Sequence, residues 1–198
     1  MTRNNWQEWW EGQGIVLPKK HPVLIFEGCD ASGKTTIQEI LREIIRHAFL
    51  IHTSAPVKGN PKEYFYNLLD KLTDFAGIIN QPLFFDRFHV GELVYGSIFR
   101  PETIDDAVKE KMFRLEERLA EREAKMVYIT ASPDTIVNRL KKRGDWYVQP
   151  SDVQRILDKY EQMLTKSRLP IFRLDTTSDY TPVDIKNLVL FSYGLQQL

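Results

Sequence analysis

The chain has 198 residues, 42% of them hydrophobic, enough apolar material for one substantial core with no need of a second domain. Its 27 lysines and arginines equal its 27 aspartates and glutamates, which speaks against the global basic field of a nonspecific binder of long nucleic acids. Cys29 is the sole cysteine, no apolar run approaches the ~18 residues of a membrane span, and the N-terminus is too rich in tryptophan and glutamate for a signal peptide; intrachain disulfides are excluded, and a cytoplasmic protein with no membrane partner is expected.

Residues 1–20 read as an arm ahead of a single domain over 21–198. Trp6, Trp9 and Trp10 stand at i, i+3 and i+4, so one short helix puts the three indoles on one face. Docking on the domain surface is the simple use of that face, and stacking on a base or contacting a partner is the sharper one; a homodimer is left open.

The run Val23-Leu24-Ile25-Phe26 reads as the first strand, and Gly28-Cys29-Asp30-Ala31-Ser32-Gly33-Lys34-Thr35 fits G-x-x-x-x-G-K-[ST] at every required position. This pattern between a strand and a helix is a phosphate-binding loop. Gly28 and Gly33 let the backbone turn its N–H groups toward phosphate, Lys34 reaches the β- and γ-phosphates, and the Thr35 hydroxyl ligates Mg²⁺. The helix opening at Lys34, with Thr36 in its first turn, adds its dipole. Cys29 at this position is either a small residue that fits the loop or a thiol activated by the helix end; the first is the simpler reading.

The longer string Phe26-Glu27-Gly28-Cys29-Asp30-Ala31-Ser32-Gly33-Lys34-Thr35-Thr36 resembles the opening motif of thymidylate kinases, Phe-Glu-Gly-x-Asp-Gly-x-Gly-Lys-[Ser/Thr]-Thr, with Ala31 in place of the family's usual glycine. The resemblance implies that residues 28 and 31–36 bind ATP while Asp30 faces the acceptor. It also implies a parallel sheet in the order 2-3-1-4-5. The Trp-rich arm lies outside it.

Ile37, Ile40, Leu41, Ile44, Ile45 and Ala48 then form the stripe of a helix with one face on a sheet. A short strand near Leu50–Thr53 precedes a loop marked by Pro56, Gly59 and Pro61. Over 62–76 a helix is expected with Phe65, Leu68, Leu69, Leu72 and Phe75 on one side; Tyr64 and Tyr66, off that stripe, are candidates for stacking on an acceptor base. The third strand, Leu83-Phe84-Phe85, ends in Asp86-Arg87, which places a carboxylate beside the phosphate loop, where it can serve Mg²⁺. In thymidylate kinases the arginine of this pair is on the acceptor side. Beyond it, His89 and Glu92 at i,i+3 share a face of one helical turn, and Tyr95 lies further along the same stretch.

A charge-laced helix over 103–124 presents a wet face. Met126–Ile129 is the fourth strand, and Ser132-Pro133-Asp134 caps the next helix. Arg139 and Arg143 lie four apart on that helix, matching by resemblance the lid of nucleoside monophosphate kinases near 139–150, which neutralises the transferring phosphoryl group. A helix over 151–166 and a fifth strand, Ile171–Leu174, lead to Asp175-Thr176-Thr177, where the family packs the adenine. The segment Pro182–Leu190 closes the domain. Five strands alternating with helices make a three-layer α/β sandwich around a parallel sheet.

Phosphate loop, Mg²⁺-side threonine, strand-end aspartate and lid arginines converge on phosphoryl transfer from ATP to a nucleotide-type acceptor. The first reading is a thymidylate kinase-like deoxynucleoside monophosphate kinase, of a short, divergent kind that resembles phage enzymes. Against it, the segment 49–85 contains no arginine, so the family's second phosphate clamp is missing unless Lys58, Lys62 or Arg100 replaces it. The second reading is a kinase for a hydroxyl of a nucleoside or modified base such as 5-hydroxymethyluracil, free or in DNA, with Asp86 or Glu92 as base. His89 with Glu92 as a structural hydrogen-bonded pair is the plain alternative, and a nucleotide-binding module without catalysis is the non-enzyme reading.

Overall fold

A computed structural model of the chain describes residues 5–54, 63–144 and 147–195. The turn residues Pro56, Gly59 and Pro61 and the clamp candidates Lys58 and Lys62 lie outside these. Strands β1 (Val23–Glu27), β2 (Phe49–His52), β3 (Leu83–Asp86), β4 (Lys125–Thr130) and β5 (Ile171–Asp175) pair in parallel in the order 2-3-1-4-5. The fold is therefore the expected three-layer P-loop kinase architecture.

Strand β1 is buried at all five positions, and its side chains alternate between two cores. Val23 and Ile25 join one core with helices α3 (Tyr64–Ile78), α4 (His89–Phe99), α5 (Asp106–Glu121), α6 (Pro133–Arg143) and α7 (Val153–Leu164). Leu24 and Phe26 join the other with α1 (Trp6–Glu11), α2 (Lys34–Ile44) and α8 (Pro182–Ser192). The apolar stripe of α2 is buried as its spacing predicts. In α1, Trp6 and Trp10 are buried and Trp9 is half-buried, so the indoles are docked against the second core rather than displayed together.

Local signals set several ends. The Ser132 side chain accepts the Thr135 N–H with Pro133 in the first turn of α6, Asp105 accepts from Val108 at the start of α5, and Thr181 with Asp184 forms a capping box on α8. Helix α4 gave no such signal beyond one turn. Every residue from His89 to Gly96 is buried, and a helix covered on all sides carries no polar face to betray its period.

Because β1 lies between β3 and β4, the chain leaves it in one direction and later returns on the other side. The crevice outside the carboxyl ends at that switch point is where doubly wound sheets take ligands. Register brings the strand ends together there: Phe26 faces Asp86, His52 faces Asp86, and Thr130 faces Asp175.

Candidate active site

A cavity of 790 Å³ opens at this switch point. Its floor is the phosphate loop. A Cβ at Gly28 would sit 2.1 Å from the Ile129 carbonyl oxygen, so only glycine lets β1 turn beside β4. Lys34 is buried, and its ammonium donates to the carbonyls of Gly28 and Cys29, each at 2.9 Å. Burial, with Arg87 nearby, pushes its pKa down to about 8. Thr35 and Thr36 are exposed to the cavity with Ala31 and Gly33, whereas Ser32 is buried behind the loop. Ala31 adopts φ 60°, the left-handed conformation that suits the glycine usual at this point of the resembling motif; for alanine it costs on the order of 1 kcal/mol. Cys29 is fully buried, and burial lifts its thiol to about 11 against the lowering pull of Lys34 and Arg87, which favours the small residue that fits the loop.

On the other side of the loop stand Asp30, Arg87 and Tyr95. The Arg87 guanidinium donates to the Asp30 carboxylate at 2.6 Å and lies 4.6 Å over the Tyr95 ring. The Tyr95 hydroxyl donates to the second Asp30 oxygen and accepts the Asp30 N–H, both at 3.1 Å. Burial alone would raise the Asp30 carboxyl, but Arg87, Lys34 and Tyr95 hold it below the usual carboxylate range. Arg87 too has a left-handed backbone, at φ 68°.

Asp86 offers its Oδ2 to His52 Nδ1 at 2.8 Å, while its Oδ1 is buried with no hydrogen-bond partner. Asp86 and Thr35 both line the cavity, and a carboxylate and a hydroxyl are hard oxygen donors of the kind Mg²⁺ takes alongside phosphate oxygens. Further along the wall, Glu92 pairs with Arg100 at 2.9 Å. Burial raises the Glu92 carboxyl, with Arg100 pulling the other way.

Four expected site residues lie elsewhere. His89 is completely buried and bonds Glu116 of α5 at 2.7 Å. Glu116 is held in turn by the Ser167 hydroxyl and the Arg168 N–H, so His89 is a core residue and does not pair with Glu92. Tyr64 and Tyr66 do not line the cavity, and Tyr66 lies under the Lys111 ammonium; it is Phe65, leading the buried stripe, that reaches the wall. Asp175 is exposed and accepts the Thr177 N–H at 2.7 Å, and the wall beyond β5 consists of Thr176, Ser178, Asp179 and Tyr180.

Arg139 is in the wall but is spent on fastening it. It donates to the Thr176 hydroxyl and carbonyl at 2.8 and 2.6 Å, and the Thr176 hydroxyl donates to the Ser32 carbonyl at 2.8 Å. Arg143 lines the same cavity, and its charge is felt at Asp30. Glu27, His52 and Tyr180 were not singled out from the sequence. Glu27 stood in the recognised motif, and the strand register would have matched His52 with Asp86.

No family model matches the chain. It is 29% identical over 170 residues, 84% of its length and 98% of the relative's, to the SPbeta prophage-derived uncharacterized protein YorR of Bacillus subtilis strain 168. The crystal structure of YorR in complex with phosphorylated GDP matches with a TM-score of 0.66 at 26% identity, over 85% of this chain and 94% of that one. Polyphosphate kinase 2 from Arthrobacter aurescens TC1 matches with a TM-score of 0.68 at 19% identity, over 97% of this chain and 75% of that one. Deoxyadenosine kinase of M. mycoides follows with a TM-score of 0.52 at 15% identity, over 84% and 95%. The shared feature is the P-loop nucleotide-kinase fold.

The left-handed backbone at Ala31 makes a direct prediction. Ala31→Gly is expected to raise the unfolding free energy by about 0.5 kcal/mol, the relief of strain less the added chain entropy. Denaturant titration measures it, and a drop in stability would contradict the strained loop.

Proposed function

We propose that the chain is an ATP- and Mg²⁺-dependent kinase that passes the γ-phosphoryl group to a deoxynucleoside monophosphate. The observation that carries this reading is Arg87, a half-buried cation fastened to Asp30 of the phosphate loop in the same cavity as Lys34. An ATPase or a switch protein also needs the loop and its lysine, and where it adds an arginine that cation serves the transferring group; a cation tied to an aspartate of the loop itself fits an acceptor bound beside the loop. The phosphorylated GDP bound by YorR supports a nucleotide as the occupant of this fold's cavity.

In this reading residues 28–36 take the donor phosphates. Thr35 and Asp86 would hold Mg²⁺, which would supply positive charge against the donor phosphates. Arg143 faces the transferring group, and Arg139, committed to Thr176, keeps the loop beyond β5 against the phosphate loop. Tyr180, in the cavity wall and 6.3 Å from the Trp6 ring, replaces Asp175 as the candidate surface for the donor base. Arg87 takes the acceptor phosphate, whose oxygen attacks the γ-phosphorus as the bond to ADP breaks. The rate comes from alignment and from fixed positive charge on a spreading negative one.

One observation favours a hydroxyl acceptor instead. Both acceptor-side arginines already have a carboxylate, Arg87 with Asp30 at 2.6 Å and Arg100 with Glu92 at 2.9 Å, so a nucleoside or modified base without a phosphate, free or in DNA, meets a nearly balanced wall. Glu92, lifted by burial, then suits a general base.

Two substitutions separate these readings. Arg87→Ala is expected to raise KM for a monophosphate acceptor by roughly tenfold or more while KM for ATP moves less than about threefold; steady-state kinetics with each substrate varied would contradict the acceptor-side assignment if both rose together. Glu92→Gln leaves a monophosphate kinase within about threefold of its kcat, whereas a hydroxyl kinase would lose on the order of a hundredfold.

A further inference from the structure

Arg87 can serve an acceptor only if its strained backbone is held. Left-handed geometry at a side-chain-bearing residue persists where its surroundings over-determine it. Here the Arg87 N–H donates to the Phe26 carbonyl and its own carbonyl accepts the Thr53 hydroxyl, both at 2.9 Å. The next N–H, that of Phe88, donates to Glu27 Oε1 at 2.9 Å, and the Gly91 N–H donates to the same oxygen at the same distance.

Glu27 is the last residue of β1, completely buried, and its carboxyl group sits on the first turn of α4, where a helix leaves N–H groups without partners; burial raises it, with the Gly91 and Phe88 N–H groups pulling the other way. The Tyr160 hydroxyl reaches the other oxygen at 3.3 Å and the Gly28 carbonyl at 3.1 Å. A Cβ at Gly91 would stand 2.7 Å from Glu27 Oε2 and 3.5 Å from the Arg87 Cβ, so a side chain there would have to displace the carboxylate.

We propose that Glu27 is a positioning residue for acceptor binding: by gripping the start of α4 it holds Arg87 in the left-handed conformation that sets its guanidinium on Asp30 and Tyr95. One carboxylate thereby links the strand that launches the donor loop to the cation of the acceptor side. The kinetic consequence rests on the proposed acceptor role of Arg87; the grip itself does not.

The test uses Glu27→Met, which removes the acceptor oxygen, Glu27→Gln, which keeps one, and Gly91→Ala, which crowds the carboxylate while leaving Glu27 in place. Glu27→Met and Gly91→Ala should raise acceptor KM roughly tenfold with ATP KM within about threefold, and Glu27→Gln should restore most of the loss. The double change should be no worse than Glu27→Met alone, because both act through one contact. Equal rises in both constants, additive losses or an unchanged acceptor KM overturn the proposal. If Glu27→Met does not fold, the Gly91→Ala and Glu27→Gln comparison carries the test. If the wild-type chain phosphorylates no monophosphate, the acceptor reading fails by itself and hydrogen exchange decides the grip: Phe88 and Gly91 amides deprotected in Gly91→Ala but protected in Glu27→Gln support it, and unchanged protection in both overturns it.

Discussion

The Ile129 carbonyl leaves no room for a side chain at Gly28, and that close approach fixes where β1 leaves the sheet. From this point the chain has to fold its N–H groups over the start of α2, with the Lys34 ammonium drawn down onto the carbonyls of Gly28 and Cys29. The same strand end places Glu27 under α4 and so reaches Arg87. The phosphate loop and Arg87 therefore share one origin, Glu27 and Gly28 at the end of a fully buried strand.

The cavity's charges are largely paired before any substrate arrives. Arg87 rests on Asp30 and Arg100 on Glu92, while Arg139 is held by hydrogen bonds to the neutral Thr176. Holding buried ions in this way gives little net stability, since desolvation offsets much of the attraction. In the proposed reaction its value would be preorganisation: groups already oriented need not reorganise when negative charge spreads over a transferring phosphoryl group. Burial lowers Lys34 and raises Glu92 for the same reason, desolvation of the charged form. The buried His89–Glu116 pair uses similar chemistry for a different end, tying α4 to α5 and to the turn after α7.

How much was legible in the sequence depended on how local the cause was. The phosphate loop, the α2 stripe and the Ser132 cap follow from contacts within a few residues, so their spacing carries them. Helix α4 was hidden because it is apolar on every side. His89 and Glu92 share a turn, yet His89 goes to Glu116 on α5, a partner distant in sequence, while Glu92 goes to Arg100 just past the end of α4. Phe65 rather than Tyr64 or Tyr66 reaches the cavity because the buried stripe, not the amphipathic flank, faces the sheet's edge. Tyr180 was missed because the chain turns once more after Thr176, fastened there by Arg139, before reaching the wall again.

The most direct measurement is transfer of label from γ-labelled ATP with Mg²⁺ to a panel of the four common deoxynucleoside monophosphates, their nucleosides, hydroxymethylated pyrimidine forms and DNA containing them. Label in a deoxynucleoside diphosphate is the result this account predicts. Tight ATP binding with no label in any acceptor would contradict it, leaving the cavity a nucleotide-binding site without phosphoryl transfer.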